Sequence, residues 1–71
     1  MLRYILESYE NGIYIYVFYP EGNQRPGKVA HLPNGEREVI EESPDDFKGV
    51  YRGHALWGIP TGSKEGTVAW Y

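Results

Sequence analysis

The chain has no cysteine. That excludes disulfide staples, thiolate metal sites and a cysteine nucleophile together, and it agrees with a reducing compartment. Long hydrophobic runs are missing too. The first ten residues, MLRYILESYE, set Glu7 and Glu10 among the apolar side chains, a pattern of neither a secretory leader nor a membrane span. No Asn-x-Ser/Thr sequon and no lipidation motif occurs. A cytoplasmic protein without membrane attachment is therefore expected. A basic excess is also lacking: Lys and Arg number 7 against 10 Asp and Glu, for a net charge of −3. Residues 36–46, EREVIEESPDD, hold six acids against Arg37. Binding to nucleic acid draws most of its affinity from phosphate neutralisation by a basic face, so the charge argues against it.

Spacings that hold metals or phosphates are missing as well. There is no H-x-x-x-H, no H-E-x-x-H and no calcium-loop pattern, so neither a metal nor a cofactor is expected. The stretch GIPTGSKE, residues 58–65, resembles a phosphate loop only in composition. Three residues separate its glycines, Ser precedes Lys, and a strand rather than a helix follows. No G-x-S-x-G nucleophile elbow occurs either.

What the chain does have is aromatic side chains, at 15% of 71 residues, and strong turn signals. Residues 9–19, YENGIYIYVFY, place five aromatics around Asn11-Gly12. Asn-Gly between apolar runs predicts a hairpin of strands 2–10 and 13–19, because both turn positions need positive φ. A two-residue turn then sets Tyr9 opposite Tyr14, Glu7 opposite Tyr16, Leu6 opposite Val17 and Ile5 opposite Phe18. One face is expected to carry Tyr4, Leu6, Ile15, Val17 and Tyr19. The other is expected to carry Ile5, Tyr9, Tyr14, Tyr16 and Phe18, with Arg3 and Glu7. Both faces are largely apolar, unlike a hairpin with one side in water.

PEGNQRPG, residues 20–27, reads as a loop, and a second hairpin is predicted over 27–42 around Asn34-Gly35. Its expected pairs are Ala30 with Val39, Val29 with Ile40, Lys28 with Glu41 and His31 with Glu38. Ser43-Pro44-Asp45-Asp46 is a helix start: Ser caps, Pro suits the first position, and acids complement the dipole. At helical spacing Phe47, Val50, Tyr51, His54 and Trp57 share a face, with Gly58 and Pro60 as the stop. Gly49 and Gly53 inside such a helix each cost about 1 kcal/mol relative to Ala, which suggests a surface approaching the side of Gly49, Gly53 and Leu56. Residues 60–66 read as a flexible loop and TVAWY, 67–71, as a last strand. The expected fold is a small single domain over 1–71 of the α+β class. It has the order ββ-ββ-α-β and a mainly antiparallel sheet with one helix packed on it.

Two sets of residues are candidates for contact with a ligand or partner. Tyr9, Tyr14, Tyr16 and Phe18 form an aromatic sheet face. Gly49, Gly53, His54, Leu56 and Trp57 form an interface or pocket on the helix. His54 would be the titratable centre of the helix face, yet the sequence fixes no second catalytic group beside it. His31 beside Glu38 reads as a surface ion pair. An aromatic platform left in water would forfeit several kcal/mol from a chain with few apolar residues to spare, so a cover is expected, either the helix or a second subunit. The expectation is a non-catalytic protein–protein interaction module, with a partner or with itself as a homodimer. The alternative is single-stranded nucleic acid or carbohydrate stacked on Tyr14, Tyr16 and Phe18.

Overall fold

A computed structural model of the chain describes residues 2–19, 25–44 and 50–68. The elements are β1 (Leu2–Glu10), β2 (Ile13–Tyr19), β3 (Gly27–His31), β4 (Arg37–Glu41), α1 (Val50–Gly58) and β5 (Glu65–Val68). The strands form one sheet in the order β4-β3-β2-β1-β5, antiparallel at every neighbouring pair. The molecule is thus α+β, with the last strand returning beside the first.

The first turn is as expected. Asn11 and Gly12 have φ of 54° and 81°, the paired left-handed values of a type I′ turn, and Tyr9 faces Tyr14. Beyond Ser8 the register differs from expectation. Ser8 pairs with Ile15 but Leu6 pairs with Tyr16, so Glu7 is an extra residue in a β-bulge. A one-residue slip turns every later side chain to the other face. Leu2, Tyr4 and Leu6 therefore join Tyr14, Tyr16 and Phe18, while Arg3 and Ile5 join Ile15, Val17 and Tyr19. The bulge brings Tyr4 to the side of Tyr9, Tyr14, Tyr16 and Phe18 and leaves Tyr19 on the other.

The second hairpin also shifts. His31 pairs with Arg37, Ala30 with Glu38 and Val29 with Val39, before a bulge restores Lys28 to Glu41. Pro33 is the reason. A two-residue turn at Asn34-Gly35 would make proline a paired strand residue, which its fixed φ and missing N–H disfavour. Instead Pro33 and Asn34 form a turn closed by the Gly35 N–H on the Leu32 carbonyl (3.0 Å). Gly35 follows at φ 90°, and the Leu32 N–H reaches the Glu36 carbonyl at 2.8 Å. That is a three-residue loop with a glycine bulge. The His31–Glu38 pair is replaced by His31 opposite Arg37.

α1 lies on the aromatic side of the sheet. Ala55 and Ile59, at 0% and 1% exposure, pack with Leu2, Tyr4, Tyr16, Phe18 and Val29. Trp57, expected on the buried stripe, is 69% exposed, and His54 is half-buried. Among the described residues of this segment the inward side is set by Ala55 and by Ile59, just past the helix end, with Leu56 at the margin. Asp45, Asp46, Phe47 and Gly49 of the expected first turns, the side chains of Val50 and Tyr51, residues 20–24 and residues 69–71 lie outside the described residues. Ser43, expected as the cap, is buried and donates its hydroxyl to the Arg25 carbonyl, tying the end of β4 to the segment before β3. β5 begins at Glu65, two residues before the expected strand.

Two glycines are fixed by rings. A Cβ at Gly27 would meet the Phe18 ring at 2.4 Å and the Glu41 carbonyl at 2.8 Å. One at Gly66 would meet the Tyr4 hydroxyl at 2.7 Å. Each glycine sits opposite its ring in the neighbouring strand, so the aromatic covers backbone that its partner leaves bare.

Candidate functional site

The expected aromatic platform is the floor of the helix-covered core. Tyr16 and Phe18 are fully buried, Tyr14 is half-buried, and Tyr9 at 57% exposure leans on Tyr14 with ring centroids 4.3 Å apart. Tyr14 stacks on Tyr16 at 6.4 Å, and Tyr4 meets Tyr16 edge-on at 5.7 Å. The hydroxyls of this row reach the segment between α1 and β5. Tyr16 Oη donates to the Ser63 carbonyl at 2.8 Å and accepts the Gly62 N–H at 2.9 Å, while Tyr4 Oη and Ser63 Oγ are 2.9 Å apart. Of the expected loop 60–66, Gly62 and Ser63 are thus tied to the sheet by the Tyr16 and Tyr4 hydroxyls. Burial, the largest cause, raises the Tyr16 pKa above its usual value; the Gly62 N–H opposes it and the neighbouring Tyr4 and Tyr14 add to it.

His31 was not a core candidate in the sequence, yet it is 1% exposed and lies 5.0 Å from the Tyr16 ring centroid. The one available signal was alternation: His31 is two residues from Val29 and shares its face. Its Nδ1 is 2.9 Å from Thr61 Oγ1. Arg37 Nη2 donates to the same oxygen at 3.4 Å, so Thr61 Oγ1 joins the imidazole and the guanidinium. Nε2 is buried and makes no hydrogen bond of normal geometry among the described residues. Burial lowers the His31 pKa, the Arg37 guanidinium adds to the lowering, and the Ala55 backbone opposes it as the smallest of the three. Arg37 Nη1 donates to the Leu56 carbonyl and, at 3.5 Å, to that of Ile59, so the cation caps the end of α1. Its guanidinium also stands 5.1 Å from the centroid of the exposed Trp57 ring. Chemically this cluster is a latch.

On the expected helix site, Gly53 is exposed and a Cβ there would meet nothing within 4 Å, so no described surface approaches it. Leu56 packs at the margin of the core, His54 is half-buried, and Trp57 projects outward. Among the described residues no cluster of three or more His, Asp or Glu side chains could hold a metal, and no helix is long and apolar enough to cross a membrane.

The side of the sheet away from α1 has a different character. Paired residues share a face, so the register writes this surface in rows. One row runs Glu65–Ile5–Val17–Lys28–Glu41 across all five strands. The next runs Ser8–Ile15–Ala30–Glu38, then Glu10–Ile13 near the turn and Thr67–Arg3–Tyr19 at the far end. Ile5 is 37% exposed, and Ile13, Ile15, Val17 and Tyr19 are half-buried. The centre is apolar and the edges are acidic. Two depressions lie on it: one of about 210 Å³ beside Arg3, Ile5, Glu65 and Thr67, the other of about 190 Å³ beside Ser8, Glu10, Ile13 and Ile15. Lys28 pairs with Glu7 at 3.0 Å, and Arg3 lies 5.2 Å from the Tyr19 ring centroid. The sequence hid this surface because the bulge at Glu7 decides which side of β1 faces it. Compared with known protein families, with curated proteins and with solved structures, the chain matches none.

Proposed function

We propose that the chain is a non-catalytic protein-interaction module whose contact surface is the open face of the sheet. One observation carries the reading: Ile5, Ile13, Ile15, Val17 and Tyr19 lie together on the side of the sheet away from α1, Ile5 exposed and the others half-buried. Patches of this kind, rimmed by polar groups, mark interaction sites. The sheet edges do not compete for the role. β4 carries Arg37, Glu38 and Glu41 with a bulge at Ile40, and β5 has four residues, both devices that discourage edge pairing. The alternative of bases or sugars on Tyr14, Tyr16 and Phe18 is weakened, because α1 covers that face and buries two of the three rings.

The test is a photo-cross-linking residue placed at Val17, with a second at the exposed turn residue Glu36 as control, in the protein's native cells. The expected result is a discrete protein adduct from Val17 and none from Glu36. Rebuilt from purified components, that complex should be lost on Ile15→Asp while the thermal midpoint stays within a few degrees. Adducts from Glu36 alone, or a complex indifferent to Ile15→Asp, would overturn the reading.

A further inference from the structure

We infer that the occupant of the open sheet face is a basic amphipathic helix of a partner protein. This rests on the reading of that face as the contact surface, and it adds the chemistry of what docks there.

Charge comes first. The face and its bulge carry Glu7, Glu10, Glu38, Glu41 and Glu65 against Arg3 and Lys28. Lys28 is taken by Glu7, and Arg3 lies over Tyr19. Glu10, Glu38, Glu41 and Glu65 have no cationic partner among the described residues. A second copy laid face to face would set one acidic rim against another, with like charges converging around a desolvated centre. Complementary potential requires a partner that is apolar in the middle and cationic at its sides.

Shape comes next. The apolar strip follows β2, the middle strand, and the carboxylates stand on β4 and β5 at the two edges. Neighbouring strands lie about 4.8 Å apart, so each edge is about 10 Å from β2. An α-helix is about 10–12 Å across with its side chains. Laid along β2, a helix would press an apolar stripe on Ile13, Ile15 and Val17 and let Lys or Arg on its flanks descend to Glu38 and Glu41 on one side and Glu65 on the other. β2 spans about 20 Å, which about 13 helical residues match. The result repeats, on the bare side, the helix-on-sheet layer that α1 supplies on the aromatic side.

The probe is a synthetic helical peptide of about 16 residues with Leu at i, i+3, i+4 and i+7 and Lys on both flanks. One control has Glu in place of Lys, and another has the same composition with the periodicity scrambled. Each is titrated into the isotope-labelled protein while amide shifts are followed. The basic amphipathic peptide is expected to move Ile5, Ile15 and Val17, and to bind more weakly as salt rises from about 50 to about 500 mM. The triple variant Glu38→Lys, Glu41→Lys and Glu65→Lys should lose about tenfold in affinity or more. Equal binding of the Glu peptide at the same residues would overturn the charge inference and leave the open-face reading standing. Equal binding of the scrambled peptide would overturn the helix. No shift at these residues with any peptide, or a homodimer that buries Val17, overturns the inference, and the Val17 cross-link then decides separately whether the face binds at all.

Discussion

At Tyr16 one hydroxyl serves as donor to Ser63 and acceptor for Gly62, at the centre of a row of rings. Tyr16→Phe keeps the ring and strands both backbone groups, so the expected loss is about 1–3 kcal/mol, read as a lower midpoint in urea. Tyr9→Phe, at an exposed ring, should change stability by less than about 0.5 kcal/mol in the same titration. His31 gives a pH dependence whose sign follows from its environment. Its folded pKa lies below the ordinary 6.5, so the unfolded chain takes up the proton first. Its contribution is whole above about pH 6.5 and is lost as the pH falls from there through the lower folded value. Thermal melts between pH 7 and pH 5 should show a falling midpoint, and His31→Gln should flatten the slope while keeping an amide for Thr61. An unchanged slope would mean that other groups carry the acid sensitivity.

Among the elements, α1 is the one with an evident reserve. Gly53 is helical and exposed with open space at its Cβ position, so Gly53→Ala should stabilise the protein by about 1 kcal/mol. Gly27→Ala should do the opposite, by about 1–3 kcal/mol, because the Phe18 ring and the Glu41 carbonyl occupy the space. Paired chemical melts of the two variants check both signs at once. These elements also show what could be read from the sequence. Asn11-Gly12 announced its turn because few residue pairs accept two positive φ values in succession. Asn34-Gly35 announced a hairpin but not its length, since with Pro33-Asn34 as the turn and Gly35 as the bulge the register shifts by a residue, and only Pro33 hinted at it. Nothing in LESYE distinguishes a regular strand from one bulged at Glu7, because the bulge is selected by which side chains the helix covers. On the helix, Trp57 was misjudged for a related reason. Large residues such as Trp57 suggested the inward stripe, while the surface that packs is made by small Ala55 and by Ile59 beyond the helix end. The candidate surface followed from these register details, and so it was legible only in part: the apolar character of Ile15 and Val17 was visible, but their separation from the rings and their company with Ile5 and the edge carboxylates were not.

For the molecule as a whole, the net charge of −3 and the acidic rim of the open face bear on association. Sedimentation at low salt should find a monomer, and any self-association should emerge only when salt screens the carboxylates. A dimer strengthened by lowering salt would contradict this. The sheet order has a consequence for how the protein is made. Tyr4 bonds Ser63 across 59 positions, and the outer edge of β1 is closed by the last strand. During synthesis, therefore, the two hairpins can form early, but the N-terminal strand waits with one edge open until β5 emerges. Until then Leu2 and Tyr4 lack Val68 and Gly66 beside them. A ribosome stalled before Glu65 is added, or a protease cutting between α1 and β5, would leave a product with a bare apolar edge, ready to aggregate or to be degraded.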